Sequence, residues 1–256
     1  RVVDLAAPDW SGLPERFDYV LHLAAVIPPG LDYDATMRVN AGGTGHLMRR
    51  FRDARACLVM STCGVYQPPA DPRHAVRETD PLGVSHQPYA PTYCVSKIAQ
   101  EAVARFAAEA YGLPTTIARM NAAYGDNGGL PAILLEMILA GRPVPLPTGR
   151  AAIASPIHED DIFAQTPGLL AAAAVPATIT NWGGDDAVDV RDMAAHLAAL
   201  AGRDVRFVES PDGMTQFRLD AARRRELAGP CRVGWREGMR RMVAARHPEL
   251  LRAPRA

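Results

Sequence analysis

Short, almost unbroken apolar runs alternate along the chain with longer stretches of helical periodicity. Tyr19-Val20-Leu21-His22-Leu23-Ala24 reads as a buried strand, Ala56 to Ser61 as a second and Thr115 to Arg119 as a third, while Val2-Val3 reads as the tail of an earlier one. Between them the periodicity predicts helices over roughly Ala35 to Ala54 and Thr92 to Tyr111. Strands feeding helices in this order predict an α/β fold with a doubly wound parallel sheet, right-handed crossovers and a ligand crevice at the carboxyl ends of the strands. After Gly125 the texture changes. Helices are predicted near Pro131 to Ala140, after His158, after Asp189 and from Trp235 to about Arg246. Pro143, Pro145 and Pro147 mark a loop, and the alanine tract Ala171 to Ala174 falls inside a helix. The expected division is a sheet core over 1–125 and a smaller α/β lobe over 126–256, interleaved with the core and closing over the site.

Composition narrows the classes. Hydrophobic residues make up 48% of the 256, ample for a core, and the formal net charge is zero, which speaks against a nucleic-acid surface. Arg223-Arg224-Arg225 and Arg240-Arg241 lie in amphipathic stretches and read as solvated helix faces. Cys57, Cys63, Cys94 and Cys231 show no CxxC spacing and no histidine partner pattern. A disulfide framework or a zinc site is therefore not expected, and a reducing cytoplasm is the default location. No run of about 18 apolar residues predicts a membrane span. Asp160-Asp161 reads as helix N-cap and dipole partners rather than metal ligands, so no metal is expected.

Among the 28 lysines and arginines, Lys97 is the single lysine. A chain that uses arginine for every other cation keeps lysine where arginine would not do. Lys97 follows Tyr93 by four residues in a predicted helix, so ammonium and phenol share one face. A compact ammonium beside a phenol, joined by a cofactor's own positive charge, favours phenolate and brings a pKa near 10 toward the working pH. Ser61-Thr62 stands at the end of a predicted strand, where a hydroxyl can orient a substrate oxygen while Tyr93 moves its proton. Cys63 and Cys94, each next to one of these residues, read as small buried thiols.

With these residues in place the chain resembles an extended short-chain dehydrogenase/reductase of the NAD-dependent epimerase/dehydratase type, with a Rossmann-type fold. His22-Leu23-Ala24-Ala25 resembles the family's HxAA, and Val39-Asn40 with Gly43-Thr44 its VNxxGT helix. Ser61-Thr62-Cys63-Gly64-Val65-Tyr66 resembles SSxxVYG, Arg119 with Tyr124-Gly125 resembles RxxNxYG, and His158-Glu159-Asp160-Asp161 resembles HVDD. The resemblance implies a triad of Thr62, Tyr93 and Lys97. It implies cofactor contacts from Asp4, Leu5, Leu23, Ala24, Ala25, Asn40, Ser61, Met120 and Asn121 with Tyr93 and Lys97, and substrate contacts from Val26, Cys63, Gly64 and Ala122. His22 reads as structural. The implied cofactor is NAD or NADP, with NAD favoured. The implied partners are a small-molecule substrate and, through pairing of the two motif helices, a second copy in a homodimer.

The departures bear on substrate. Cys63 and Gly64 stand where dehydratases of the family carry Asp-Glu, and Ala122 and Ala154 stand where nucleotide-sugar enzymes carry diphosphate contacts. A smaller or more apolar alcohol or ketone is expected. The leading expectation is an NAD(P)-dependent oxidoreductase; a sugar or nucleotide-sugar epimerase with the same triad is the alternative, and a non-catalytic cofactor sensor a third. No glycine-rich turn after a strand occurs before Tyr19, and Gly42-Gly43-Thr44-Gly45 lies inside a helical stretch. The chain thus reads as beginning at the third strand, two βα units or roughly 50–60 residues into such a fold, and is expected by itself to bind NAD(H) weakly.

Overall fold

The structure, a computed structural model, describes residues 1–83 and 89–252. In chain order the elements are β1 (Tyr19–His22), α1 (Tyr33–Met37), α2 (Gly43–Arg50), β2 (Ala56–Thr62), α3 (Tyr93–Tyr111), β3 (Thr115–Met120), β4 (Ala123–Gly125) and β5 (Gly128–Gly129). There follow α4 (Leu130–Leu139), β6 (Val144–Pro147), β7 (Ile153–Ala154), β8 (Ile157–His158), α5 (Glu159–Ala171), β9 (Thr178–Trp182) and β10 (Val188–Asp189). The last are α6 (Val190–Ala201), β11 (Phe207–Ser210), α7 (Ala222–Ala228), α8 (Trp235–Arg246) and α9 (Pro248–Arg252).

The central sheet has the order β1-β2-β3-β9, with every pairing parallel. β2 and β3 are buried nearly throughout, as parallel strands covered on both faces must be. On one face Val20, Met48, Phe51, Ala104 and Leu113 join α2 and α3 to the sheet; on the other Leu58, Ala118, Leu169 and Trp182 seat α5. β9 comes from the second half of the sequence, so the two halves share this sheet.

Several expectations need correction. Tyr19–Ala24 is not a buried strand: it ends at His22 and alternates, with Val20 and His22 inside and Tyr19 and Leu21 about half exposed. Among the described strands β2 alone pairs with β1, and α5 packs mainly on β2 and β3, leaving Tyr19 and Leu21 of β1 half exposed. Val2-Val3 forms no strand, since no described strand lies alongside to bond it, and Val2 is 96% exposed. The single helix expected over Ala35 to Ala54 starts at Tyr33, capped by the Asp32 carboxylate, passes through a π turn at Arg38–Gly42 and stops at Arg50. Helix α3 runs as expected and ends where Gly112 adopts a left-handed φ of 64°.

The proline-rich stretch expected as a loop contains β6, which among the described strands pairs with β11 alone; with that single neighbour, the missing N–H groups of Pro145 and Pro147 leave no ladder bond unmade on the outer edge. Helix α5 ends at Ala171, so most of the alanine tract lies beyond it, where Ala174 bridges to Thr115. Arg224 is not on a solvated face. It is fully buried, donating to the carbonyls of Gly229 and Gly183 and to Asp185, while Arg225 stays at the surface and also meets Asp185. Arg240 and Arg241 are solvated and pair with Glu237.

A further core joins Leu134, Leu135 and Ile138 of α4, Met193 and Leu197 of α6, and Met239, Met242 and Val243 of α8. Asp161 fastens this region to α5 instead of capping it. His158 caps the helix, accepting from the Asp160 N–H, whereas the Asp161 carboxylate accepts from the N–H groups of Arg232 at 2.7 Å and Val233 at 3.1 Å. Replacing Asp161 by alanine strands two part-buried donors, and the expected loss is about 1–3 kcal/mol, read as a lower thermal midpoint.

Candidate active site

The carboxyl ends of β2 and β3, with the segment after β1, open onto a cavity of about 240 Å³. Thr62 ends β2, and its hydroxyl accepts the Gly64 N–H at 3.1 Å, starting a single helical turn at Cys63–Val65. Tyr93 and Lys97 stand one turn apart at the start of α3, on the face that meets the sheet end. The Thr62 side chain stands close to the Tyr93 phenol and favours its ionised form, against the larger effect of burial. Lys97 Nζ lies 6.0 Å from the centre of the Tyr93 ring and donates to the Met60 carbonyl at 2.7 Å. The three residues share one wall of the cavity.

Burial governs their protonation. It pushes Tyr93 well above the usual phenol range, keeping the phenol protonated, and pushes Lys97 down to about 8 against the upward pull of Glu101. In the protein alone the Lys97 ammonium turns to a backbone carbonyl and desolvation dominates at the phenol. Cys63 is pushed up to about 12 by burial and remains a thiol.

Leu23, Ala25, Ser61, Met120, Asn121, Cys63, Gly64 and Ala122 all line the same cavity. Asp4, Leu5, Ala24, Val26 and Asn40 do not. Asp4 is exposed and its carboxylate accepts the Ala6 N–H; Leu5 packs against Gly43, where a side chain of any size would collide with it. Asn40, fully buried in the π turn, bonds both backbone groups of Val26 and donates to Ser96 Oγ, which in turn donates to the Tyr93 carbonyl. It thereby ties the segment after β1 to the turn of α3 that carries Tyr93. His22 is buried beside Thr44 (2.7 Å) and Gln100 (3.1 Å), and burial followed by the Lys97 charge pushes it down to about 4, consistent with a structural role.

Sequence reasoning missed Tyr89, Leu130 and the Thr215-Gln216-Phe217 segment, which complete the cavity wall. It also missed Glu101, which bonds Arg119 and Ser61 beneath the floor; its spacing of four from Lys97 was the available signal. Among the described lining residues Lys97 is the one charged side chain.

A nicotinamide cofactor fits part of this arrangement. Leu23, Ala24 and Ala25 form an exposed shelf of mainly small residues beside Lys97, which suits the nicotinamide–ribose end. Among the described residues no strand of the central sheet runs through a glycine-rich turn directly into a helix N-terminus, the place where such a fold holds the pyrophosphate.

A parallel sheet wrapped by helices, with its cavity at the carboxyl ends of the strands, defines a Rossmann-type α/β protein. Within that class the chain belongs to the NAD dependent epimerase/dehydratase family, whose model matches residues 3–164. No curated protein sequence matches it. Similar solved structures include UDP-glucuronic acid 4-epimerase from Bacillus cereus in complex with NAD, at 20% identity and TM-score 0.80, covering 96% of this chain and 79% of that one. MoeE5 in complex with UDP-glucose and NAD is similar at 23% identity and TM-score 0.74, covering 91% of this chain and 80% of that one. DesIV, a dTDP-glucose 4,6-dehydratase from Streptomyces venezuelae with NAD and TYD bound, is similar at 25% identity and TM-score 0.73, covering 89% and 72%. The resemblance to extended short-chain dehydrogenases/reductases read from the sequence is borne out. Among the described residues no helix is long and apolar enough to cross a membrane.

Proposed function

We propose that the protein is an NAD-dependent oxidoreductase acting at a secondary alcohol or ketone carbon. The observation that carries this reading is the convergence of Thr62, Tyr93 and Lys97 on one cavity at the strand ends. NAD, when bound, supplies the hydride acceptor or donor. Leu23, Ala25, Met120 and Lys97 would hold its nicotinamide–ribose end. The Thr62 hydroxyl orients the substrate oxygen, and Tyr93 Oη gives that oxygen a proton in reduction and takes it in oxidation. Lys97, held near pKa 8, supplies positive charge beside the phenol.

The lining favours an uncharged substrate. Among the described lining residues Lys97 is the one cation it offers to a diphosphate, and Ala122, Phe217 and Leu130 present apolar surface. A second reading, a nucleotide-sugar epimerase, is favoured by the similarity to epimerases and a dehydratase solved with nucleotide sugars or nucleotides. In it the same residues oxidise a hydroxyl and re-reduce the ketone from the other face.

One experiment separates them. The protein is incubated with NAD and, in parallel, with uncharged sugars and secondary alcohols or with UDP- and dTDP-sugars. Net NADH absorbance with an uncharged alcohol is the expected result. Conversion of a nucleotide sugar with no change in NADH would establish the epimerase instead. A homodimer built on α2 and α3 belongs to the same proposal and is read by sedimentation.

A further inference from the structure

Glu101 lies on α3 one turn beyond Lys97 and two beyond Tyr93, and only 2% of it is exposed. Its carboxylate is fully engaged. Oε1 accepts from Ser61 Oγ at 2.6 Å and from Arg119 Nε at 2.9 Å, and Oε2 accepts from Arg119 Nη2 at 2.7 Å. Arg119, equally buried, donates Nη1 to the Glu78 carbonyl at 3.2 Å and lies 4.7 Å over the Tyr66 ring. One carboxylate thus joins the ends of β2 and β3 to the helix that carries Tyr93 and Lys97.

Stability does not explain such a pair, because two buried charges cost about as much in desolvation as their attraction returns, and apolar replacements of similar volume are often neutral or better. The neighbourhood of Lys97 offers another reason. The titratable groups around it are His22 from β1, Cys63 after β2, Tyr89 ahead of α3, and Tyr93, Cys94 and Glu101 from α3, while Arg119 from β3 reaches it only through Glu101. His22 is neutral, Cys63 is a thiol and Tyr93 is a phenol, so Glu101 is the negative charge in the set.

We propose that Glu101 and Arg119 act as a positioning pair that sets the charge of Lys97, the carboxylate holding the buried ammonium protonated and the guanidinium moderating that pull. This rests on the reading of Lys97 as part of the site. The balance agrees with it: desolvation pushes the ammonium down and Glu101 pulls it up, leaving it at about 8. Neither residue touches the reacting atoms. Both act through Lys97, and Glu101 also fixes Ser61 next to Thr62.

The single lysine makes the test direct, since protein grown on [ε-13C]lysine gives one signal whose shift follows the titration of Lys97 itself. Removing the negative charge with Glu101→Gln is expected to lower the midpoint by about one pH unit or more, and leaving it uncompensated with Arg119→Met to raise it. Opposite shifts from two partners of one pair are not what a purely structural role produces. Should a single variant fail to fold, the double variant Glu101→Gln/Arg119→Met, which buries no unpaired charge, decides, with an expected midpoint below that of the parent protein. Unchanged midpoints in folded variants overturn the proposal. The readout needs neither substrate nor cofactor, so its failure is distinct from failure of the hydride-transfer reading, which the Tyr93 variant tests.

Discussion

Tyr93→Phe is expected to reduce turnover by about 10²–10⁴-fold, the usual contribution of a positioned general acid/base, or on the order of 3–5 kcal/mol of barrier. Phenylalanine keeps the ring against the cavity wall and removes only the hydroxyl. The Thr62 hydroxyl keeps the Gly64 N–H as its partner, so the change leaves that group bonded. Stability should therefore hold to within about 1 kcal/mol, and the thermal midpoint serves as the control. The loss should appear in kcat with KM little changed, because proton transfer is needed only as the reaction proceeds. Steady-state rates with the alcohol that gives net NADH provide the measurement. A variant within threefold of the parent rate would remove Tyr93 from the chemistry.

What could be read from the sequence follows from how regular each element is. β2 and β3 were legible because strands covered on both faces must be apolar throughout, and α3 because its apolar face repeats at helical spacing over 19 residues. Once strand end and helix face are fixed, Thr62, Tyr93 and Lys97 have to meet, which is why the site's floor was visible in advance. β1 misled because an apolar sequence reports what a strand could bury, not whether a neighbour is there to cover it; Tyr19 and Leu21 stay half exposed. Thr215-Gln216-Phe217 was invisible because it lies in no regular element, and its place at the cavity depends on the long path from β11 to α7. Arg224 looked like its neighbours in sequence. Only the carbonyls of Gly183 and Gly229 and the Asp185 carboxylate, brought to it by the fold, make burial of its charge tolerable.

Lys97→Met should leave the protein inactive and more stable. Lys97 is 2% exposed, and burial pushes its ammonium from 10.5 down to about 8. At about 1.36 kcal/mol per pH unit, keeping the proton at neutral pH costs the folded state on the order of 3 kcal/mol. Methionine fills nearly the same space without the charge, at the loss of one hydrogen bond to the Met60 carbonyl. The sign with pH follows from the depressed value. Between about 8 and 10.5 the folded protein sheds the proton before the unfolded chain does, so the parent gains stability as pH rises through that window. The advantage of the variant should be full below about 8 and gone above 10.5, as denaturant midpoints across that range would show. A Lys97→Arg protein should behave in the opposite way, because a guanidinium cannot give up its proton to escape burial and its fork does not fit a point-charge site. The lone lysine of the chain then stands where a buried cation must stay near its own titration, at a stability cost that an arginine could not relieve and a methionine would remove together with the activity. Equal stability of the Lys97→Met variant and the parent protein at neutral pH would show that the ammonium is not desolvated, and the case for its role beside Tyr93 would fall with it.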